Sequence, residues 1–490
     1  MNNRFRAYTE DIYRTVSAIW DDSIIPQLMK YIKIPNKSIS YDVHWKTNGY
    51  MDEAMALLAH WCQQQPIQGM QLEVLQLPER TPLLFIEISG SIDETILLYG
   101  HMDKQPEMSG WDEDLGPWKP VLRDNKLYGR GGADDGYSVF SSLTVITVLQ
   151  RYQIPHARCV IIIEGSEESG SVDLFAYLKH LDNRIGNPSL VICLDSGCIN
   201  YDQLWCTTSL RGLIGGELKI GVLKNGIHSG TGSGIVPSPF SILRQLLDRI
   251  ETSATGTVTL EALKVSAPAQ YKEQIKTVAK NLGKKFIQNT FPFLPGVKSM
   301  TSDTTELLLN GIWRPQLSII GLDGLPAVAN AGNISIPSLK ATLSIRLPPI
   351  IDAQKASIIL KNTLEKDPPY HAEVSFSPKV ASSGWLSPPL SRWLENANQI
   401  ASKQFFGNPA AYCGEGGTIP FIRMLGETFP NTQFMITGVL GPKSNAHGPN
   451  EFLDISMGKK LTACVASVVA AHYRNYHSSD NRKKNRSCIS

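Results

Sequence analysis

The 490-residue chain has little of what marks a membrane or nucleic-acid-binding protein. No apolar run approaches the ~20 residues that a membrane-spanning helix requires. Lysine and arginine number 47 and aspartate and glutamate 45, a net charge of +2, so no excess of one sign indicates a polyanionic partner. We therefore expect a protein that binds neither nucleic acid nor membrane.

Cysteine pairing patterns are also absent. The 8 cysteines are scattered without CxxC spacing, which in so long a chain is typical of reduced, mostly buried thiols. The first 20 residues include Glu10 and Asp11 and no long apolar stretch, as in an amphipathic helix rather than a signal peptide. Both observations predict a cytoplasmic protein.

What the sequence does contain is two styles of secondary-structure pattern. Strand patterns alternate with helical patterns up to about residue 206 and again beyond 388, which favours a largely parallel or mixed α/β sheet. The intervening residues combine half-exposed strands with amphipathic helices, as an α+β domain does. We predict an α/β fold of two domains with these boundaries: 1–206 and 388–478 for the first domain, 207–387 for an inserted α+β domain, and 479–490 for a disordered basic tail.

Side chains suited to metal binding follow several of the strand patterns. An apolar run at 96–99 ends just before His101, and the glycine-rich turn at 129–132 leads to Asp134. In open α/β sheets, ligands bind at the carboxyl ends of the strands. Five separated stretches together supply His101, Asp134, Glu167, Glu168, Asp195 and His447.

The combination of these stretches is what indicates chemistry. A single histidine near a strand end is more often an ordinary polar residue, and a glutamate pair is usually a solvated face. Burying so many carboxylates together without a cation would cost several kcal/mol each. Imidazole and carboxylate ligands suit Zn²⁺, Mn²⁺ and Co²⁺. The sequence therefore predicts a metal centre in the α/β domain.

The same stretches resemble a known enzyme family, the co-catalytic-zinc peptidases that include carnosine-type dipeptidases, aminoacylases and glutamate carboxypeptidases. The dipeptidase branch is the most similar, since it shares Gly110-Trp111 and the context of Leu127-Tyr128. The similar motifs occur in the family's order: GHMD at 100–103, YGRGGADDG at 128–136, EGSEESGS at 164–171, LDSG at 194–197, HSG at 228–230, SIRLPP at 344–349, EGGTIP at 415–420 and HGPNE at 447–451.

The resemblance implies a role for each residue of the metal centre. His101 and Asp195 would hold one ion, Glu168 and His447 the other, and Asp134 would bridge both. Glu167 would be the general base and acid, and Asp103 would take the N–H of the His101 imidazole and fix its tautomer. Neighbouring side chains on an extended backbone point opposite ways, so we expect one glutamate to ligate while the other faces the cleft.

The resemblance also implies that the inserted domain is a lid and dimerisation domain. His228 would polarise the scissile carbonyl from the partner subunit of a homodimer, and Arg346 would clamp a substrate carboxylate. Gly416, Gly417 and Thr418 would offer donors to the substrate. One departure from the family is Gly136, where a lysine usually follows the aspartate pair.

The function implied is hydrolysis of an amide bond in dipeptides or short peptides with a free C-terminal carboxylate. Two divalent ions per chain would be the cofactor, with Zn²⁺ first and Mn²⁺ or Co²⁺ as alternatives. An N-acyl-amino-acid deacylase or a glutamate-type carboxypeptidase is the alternative within the class. A non-catalytic member is disfavoured because all five ligands and Glu167 are present, and a phosphoesterase because no basic cluster lies near the motifs.

Overall fold

The computed structural model describes residues 3–283 and 286–487 of the chain. They form two compact units. The first unit comprises Met1–Thr207, Ser387–Tyr412 and Leu425–Ser490, and the inserted unit comprises Thr208–Leu386 and Cys413–Met424. The short segment 413–424, which the sequence patterns assign to the α/β domain, thus packs with the inserted unit.

A mixed six-stranded sheet forms the centre of the first unit. Two strands pair antiparallel at one side, and the other four are parallel to one another. Their apolar residues are almost completely buried, as expected of strands covered on both faces. In spatial order the strands are Met70–Leu75, Leu83–Ile88, Arg158–Glu164, Thr95–His101, Pro188–Cys193 and Gln433–Ile436.

Helices account for most of the remaining first unit. The helix Tyr137–Arg151 is buried from Tyr137 to Leu149, which explains its continuous apolar sequence. A separate three-stranded sheet pairs Val121–Arg123 with Lys126–Tyr128 and the latter with Phe452–Asp454. The other helices are Asn3–Ala7, Thr9–Ile19, Ile25–Ile32, Trp45–Asn48, Tyr50–Gln63, Leu174–Ile185, Arg392–Phe405 and Ile455–Ser487, with a π-helical turn at Trp20–Ile24.

The last helix differs from the sequence-based expectation. The basic tail was expected to be disordered from residue 479, but the helix Ile455–Ser487 continues through most of that segment. Extending an existing helix fixes one residue for each hydrogen bond gained, so a long helix continues where an isolated segment of the same composition would not form one. Residues 488–490 lie outside the described part of the chain.

The inserted unit is built on a four-stranded antiparallel sheet. Buried and half-buried residues alternate along Ser338–Leu347, so one face of the sheet is apolar. The helices Pro239–Leu247 and Ala353–Glu365 supply Ile242, Leu246 and Leu360 to the core on that face. In spatial order the strands are Gln316–Asp323, Ser338–Leu347, Gly212–Gly221 and Glu373–Ser382.

Between the strand Glu251–Thr252 and the edge strand Gln316–Asp323, the inserted unit contains two substantial helices, Ala269–Leu282 and Thr304–Ile312. Both have short apolar faces interrupted by polar residues, which weakens the periodic signal. The remaining short elements are the strands Trp205–Leu210, Ile227–His228, Glu251–Thr252, Thr257–Val258, Ile334–Ser335, Trp385–Leu386 and Ala411–Glu415 and the helices Ser229–Gly232, Phe286–Thr290 and Pro420–Thr428. No helix within the described residues has the length and apolar character needed to cross a bilayer.

Candidate active site

The carboxyl ends of the parallel strands bring the candidate ligands to one edge of the sheet. His101 is the last residue of its strand and pairs with Glu164, the last residue of the neighbouring strand. The loop after Glu164 carries Glu167 and Glu168. On the other side, Pro188–Cys193 ends two residues before Asp195. Sheet topology therefore converts sequence-distant motifs into neighbours, as expected at this edge.

Two overlapping groups of donor atoms result. His101, Asp134 and Glu168 each offer one atom within 4.8 Å of the others, and so do His101, Glu167 and Asp195. The imidazole Nε2 of His101 lies 3.3 Å from Asp134 Oδ1 and 3.8 Å from Asp195 Oδ2. The residues present therefore match the nitrogen and oxygen donor set of a first-row divalent ion.

His447 completes the set from the opposite side. Its Nε2 lies 3.0 Å from Asp134 Oδ2 and 3.3 Å from Glu168 Oε2, so Asp134 stands between the two histidines. The side chain of His447 is 55% exposed, whereas that of His101 is 0% exposed. The cluster is therefore open to solvent on the His447 side and closed on the His101 side.

The carboxylates of this cluster disturb one another's ionisation. Burial raises the pKa of Glu167 well above its usual value, and the nearby charge of Asp195 raises it further. Burial and the charge of Asp134 do the same to the pKa of Glu168. Burial opposes the charged form of His101, but its hydrogen bonds to Asp103 and Asp134 prevail and raise its pKa well above the usual value. Crowded anions that suppress one another's charge are what a bound cation would stabilise.

Asp103 organises the glutamate pair as well as the histidine. Its two carboxylate oxygens accept the backbone N–H groups of Glu167 and Glu168, each at 3.0 Å. The Nδ1 of His101 lies 3.0 Å from the main-chain carbonyl of Asp103 and 3.5 Å from its Oδ1, so the carbonyl is the nearer partner. Asp103 is thus a partner of the His101 imidazole, through its carbonyl and at longer range its carboxylate, and the carboxylate also holds the glutamate loop.

The glutamate pair does not lie on extended backbone, contrary to the sequence-based expectation. Glu167–Ser169 form a 3-10 turn, because the two N–H groups bound to Asp103 must face the same carboxylate. The turn nevertheless separates the side chains. Glu167 Oε2 lies 4.0 Å from His101 Nε2, on the Asp195 side, and Glu168 approaches His447. The two carboxylates therefore belong to different donor groups.

The turn that carries Asp134 explains why a glycine occupies position 136. A Cβ on Gly136 would lie 2.3 Å from Cε1 of Tyr31 and 2.6 Å from the carbonyl oxygen of Gly131. The ring of Tyr31 therefore fills the space that a side chain at position 136 would need. Tyr31 also donates its hydroxyl to the carbonyl of Met102, between His101 and Asp103 in the chain. The lysine of the resembling family does not fit here, and an aromatic ring takes its place.

Several supporting residues were not identified from the sequence. Gln105 donates to Oε2 of Glu168 at 2.5 Å, and Asp135 accepts the backbone N–H of His101 at 3.1 Å. The buried carboxylate of Glu164 accepts hydrogen bonds from Tyr99, Ser166 and Ser171. Asp135 and Glu164 lie inside the motifs quoted above, so their closeness in sequence to candidate ligands could have indicated a supporting role. Gln105 had no such indication.

In the inserted unit, the candidate substrate residues converge around two arginines. Nη1 of Arg346 donates to Thr418 Oγ1 at 3.2 Å, and the hydroxyl of Thr418 donates to the carbonyl of Arg211. The guanidinium of Arg211 reaches the carbonyls of Gly416 and Asn310. No carboxylate among the described residues pairs with Arg346, so its charge has no anionic partner within the unit.

His228 lies in the inserted unit on an exposed two-residue strand, Ile227–His228, which pairs with Ile334–Ser335. Its Nδ1 accepts the backbone N–H of Gly230 at 3.1 Å. A neutral imidazole that accepts through Nδ1 carries its proton on Nε2. The exposed Nε2–H therefore has no acceptor among the residues that the structure describes. Gly417, another candidate substrate residue, is open on its Cβ side, because a Cβ built there would meet no heavy atom within 4 Å.

Two known proteins whose sequences are similar over most of this chain are named as dipeptidases. The Cys-Gly metallodipeptidase of Saccharomyces cerevisiae is 28% identical over 89% of this chain and 93% of its own. The human Beta-Ala-His dipeptidase is 25% identical over 86% and 84%, respectively. A succinyl-diaminopimelate desuccinylase of Wolbachia is 25% identical, but over only 31% of this chain.

The fold is also found among solved structures, and a family model matches the sequence. Human carnosine dipeptidase 1 superposes with a TM-score of 0.75 at 21% identity, covering 95% of this chain and 98% of its own. The model of peptidase family M20/M25/M40 matches residues 97–471, which include every candidate metal ligand. Because that match spans most of the chain, the protein belongs to peptidase family M20/M25/M40 and is a metallopeptidase.

Proposed function

We propose that the protein is a two-metal hydrolase that cleaves the amide bond of dipeptides with a free C-terminal carboxylate. The observation that carries the proposal is the pair of donor groups at one sheet edge, which share His101 and include Asp134, Glu168 and Asp195. Five ligands including a bridging carboxylate are too many for one tetrahedral ion and suit two.

In this proposal His101 and Asp195 would hold one ion, Glu168 and His447 would hold the other, and Asp134, which lies between the two histidines, would serve both ions. Zn²⁺ is the first candidate for the donor set, and Mn²⁺ and Co²⁺ suit it as well. Bound there, the ions would supply Lewis acidity to the attacking water and to the scissile carbonyl.

Glu167 is the general base. Its Oε2 lies 4.0 Å from His101 Nε2, beside the donor atoms, and in this proposal it holds neither ion, so it can accept a proton from water and return it to the leaving amine. Asp103 fixes the backbone that carries Glu167, because its carboxylate accepts the Glu167 N–H. His228 would donate its Nε2–H to the developing oxyanion, which is consistent with the hydrogen bond that Nδ1 accepts.

The dipeptide substrate rests on the similar proteins and on Arg346. Relatives that match over most of the chain are named as dipeptidases, whereas the desuccinylase matches less than a third of it. Among the described residues no carboxylate pairs with Arg346, and its guanidinium donates to Thr418, next to Gly416 and Gly417 in the chain. A bidentate pair with a C-terminal carboxylate is the interaction that such a guanidinium favours. An N-acyl-amino-acid substrate, whose carboxylate is similar, is the alternative.

We further propose a cytoplasmic homodimer formed through the inserted unit. Gln316–Asp323 is an edge strand of its sheet and exposes Ile319, Ile320 and Leu322. An exposed apolar edge strand is prone to pair with another chain, and a second copy would cover it. The cytoplasmic location is supported by the free, buried thiols of the seven cysteines in the described residues.

The test is a substrate screen combined with metal analysis. Protein stripped with a chelator would be reloaded with Zn²⁺, Mn²⁺ or Co²⁺ and assayed on dipeptides, tripeptides and N-acyl amino acids. We expect two ions per chain by elemental analysis and the highest activity on dipeptides. One ion or none per chain in active protein would contradict the two-metal site, and a preference for N-acyl amino acids would contradict the substrate assignment.

A further inference from the structure

A buried ion pair joins the two loops that carry Asp134 and His447. Nη1 of Arg130 donates to Oε2 of Glu451 at 2.5 Å, and the side chains are 1% and 0% exposed. Burying two charges costs several kcal/mol of desolvation free energy per ion. The remaining hydrogen bonds of the pair have to offset part of this cost. Those bonds determine what the pair holds in place.

Apart from the backbone N–H of Arg130, which donates to the carbonyl of Pro117 at 2.9 Å, the remaining hydrogen bonds of the pair run to these two loops. Oε1 of Glu451 accepts the N–H of Gly131, and its main-chain carbonyl accepts that of Gly129, each close to 3 Å. Nη2 of Arg130 donates to the carbonyl of Gly448 at 2.9 Å. Each partner of the pair therefore reaches across to the loop of the other partner, and the two loops are bound reciprocally.

The loop of His447 is held by bonds within it and to another segment: the N–H of Gly448 donates to the carbonyl of Asn445 at 2.9 Å, and Oδ1 of Asn450 accepts the backbone N–H of Asp112 at 2.9 Å. Its residues Lys443, Asn445, His447 and Asn450 all have positive φ, an uncommon conformation for side chains other than glycine. The side chain of His447 is also the most exposed of the five candidate ligands, at 55% against at most 10% for the others. A loop in this conformation needs external bonds to keep one geometry. The Gly448 carbonyl, adjacent to His447, receives such a bond from Arg130.

We propose that Arg130 and Glu451 are positioning residues that hold His447 against Asp134 and thereby set the affinity of the ion bound by Glu168 and His447. This inference rests on the proposed two-metal function. Neither residue touches the donor atoms in the described structure; each acts through the backbone of a ligand loop. Loss of such a supporting contact typically weakens metal binding 10–100-fold.

The test compares Arg130→Lys with a matched substitution at the opposite end of the sheet. Lysine keeps the charge but cannot bond Glu451 and Gly448 together. Arg158 also binds a carboxylate, Glu87, and two main-chain carbonyls, but it lies at the amino end of its strand. Arg158→Lys therefore removes the same kind of interaction away from the ligand loops.

Full-length protein stripped of metal would be titrated with Zn²⁺ by calorimetry, and the melting temperature of the metal-free form would be recorded. We expect two ions in the wild type and in Arg158→Lys. Arg130→Lys should keep one ion at unchanged affinity and bind the other about 10–100-fold more weakly. In a His447→Ala background, Arg130→Lys should have no further effect, because its action passes through His447.

If Arg130→Lys does not fold, Glu451→Gln serves instead, since it keeps the shape and the acceptor for Gly131. The inference is overturned if the variant binds both ions as the wild type does, weakens both equally, or matches Arg158→Lys. It is also overturned if the effects of Arg130→Lys and His447→Ala add. A wild type that binds fewer than two ions overturns the two-metal function itself, and the inference with it.

Discussion

The two units hold their candidate functional residues in opposite ways. In the first unit, His101 and Asp134 are buried, and each offers a donor atom within 4.8 Å of one on the half-buried Glu168. In the inserted unit, His228 is exposed and bonds only to its neighbour Gly230 among the described residues, and Arg346 has a hydroxyl as its side-chain partner. The clustered carboxylates of the first unit would be neutralised by a cation. The donors of the inserted unit would bind an anion or an oxyanion.

This difference separates metal binding from substrate binding. The first unit concentrates negative charge that needs compensation, whereas the inserted unit presents free donors. The proposed reaction requires both, since the substrate carries a carboxylate and develops a further negative charge at the scissile carbonyl. Substitutions of the candidate metal ligands in the first unit should therefore change metal content, and those in the inserted unit should change turnover with the metal retained.

The largest expected effect distinguishes two neighbouring residues of the first unit, Glu167 and Glu168. Glu167→Gln should lower kcat by about 10²–10⁴-fold with both ions retained, because a general base is lost and no ligand is. Glu168→Gln, the adjacent isosteric change, should lower metal occupancy as well. Activity and elemental analysis of both variants provide the measurement. Equal loss of metal from the two variants would reject the division of roles between these neighbouring residues.

The sequence predicts some features of this site and not others. The strand ends at His101 and Asp195 were predictable, because buried strands are apolar runs and their carboxyl ends meet at one edge. The 3-10 turn at Glu167–Ser169 was not, since it depends on the carboxylate of Asp103 folded beneath it. Nor was the contact between Gly136 and Tyr31, which joins residues more than a hundred positions apart. Local pattern specifies elements, and tertiary contacts specify how loops between them are held.

The second prediction asks whether His228 acts in its own subunit. His228→Ala should reduce kcat by about 10²–10³-fold, as loss of an oxyanion donor does, with metal content unchanged. His371→Ala, at another exposed histidine of the same unit, should have little effect. Mixed with Glu167→Gln under conditions of subunit exchange, His228→Ala should regain activity, to at most about half the wild-type level per heterodimer.

This recovery discriminates between two arrangements. If His228 serves the partner's site, one site of the heterodimer holds both intact residues and the other holds neither. If His228 serves its own chain, no site of the heterodimer is intact. Subunit exchange demonstrated by mass, together with no recovered activity, would exclude the shared site.

A smaller effect is expected at Arg346. The wild type should prefer a dipeptide to its C-terminal amide by about 30-fold in kcat/KM, roughly 2 kcal/mol for a charged hydrogen-bonded pair, and Arg346→Met should lose that preference. Lys340→Met is the control, because it removes a positive charge from the same face of the same strand. A wild type that cleaves both substrates equally well would show that Arg346 does not bind the carboxylate.

The smallest effect concerns a carboxylate of the first unit outside the metal cluster. Glu87 accepts hydrogen bonds from Arg158 and Arg184, each at 2.6 Å. Burial opposes its ionisation, but these arginines prevail and lower the pKa of Glu87, whereas the pKa values of Glu167 and Glu168 are raised. The pKa of a carboxylate that pairs with arginines of the protein is thus lowered, whereas the pKa values of the carboxylates in the candidate metal centre are raised.

For Glu87 the sign of the pH dependence follows from that lowered pKa. The folded state binds the proton less tightly than the unfolded state, so the stabilisation is fully present above the unfolded pKa of about 4.3 and is lost as pH falls through the folded value. Glu87→Gln should lower the unfolding free energy of metal-free protein by about 1 kcal/mol at pH 7, with the difference shrinking below pH ~4.3. Glu73→Gln, which removes an exposed partner of the same Arg184, should change stability less at every pH. Denaturant unfolding at pH 7 and at stepwise lower pH measures both variants, and a Glu87→Gln difference that widens on acidification would show that the arginines do not stabilise the charged form.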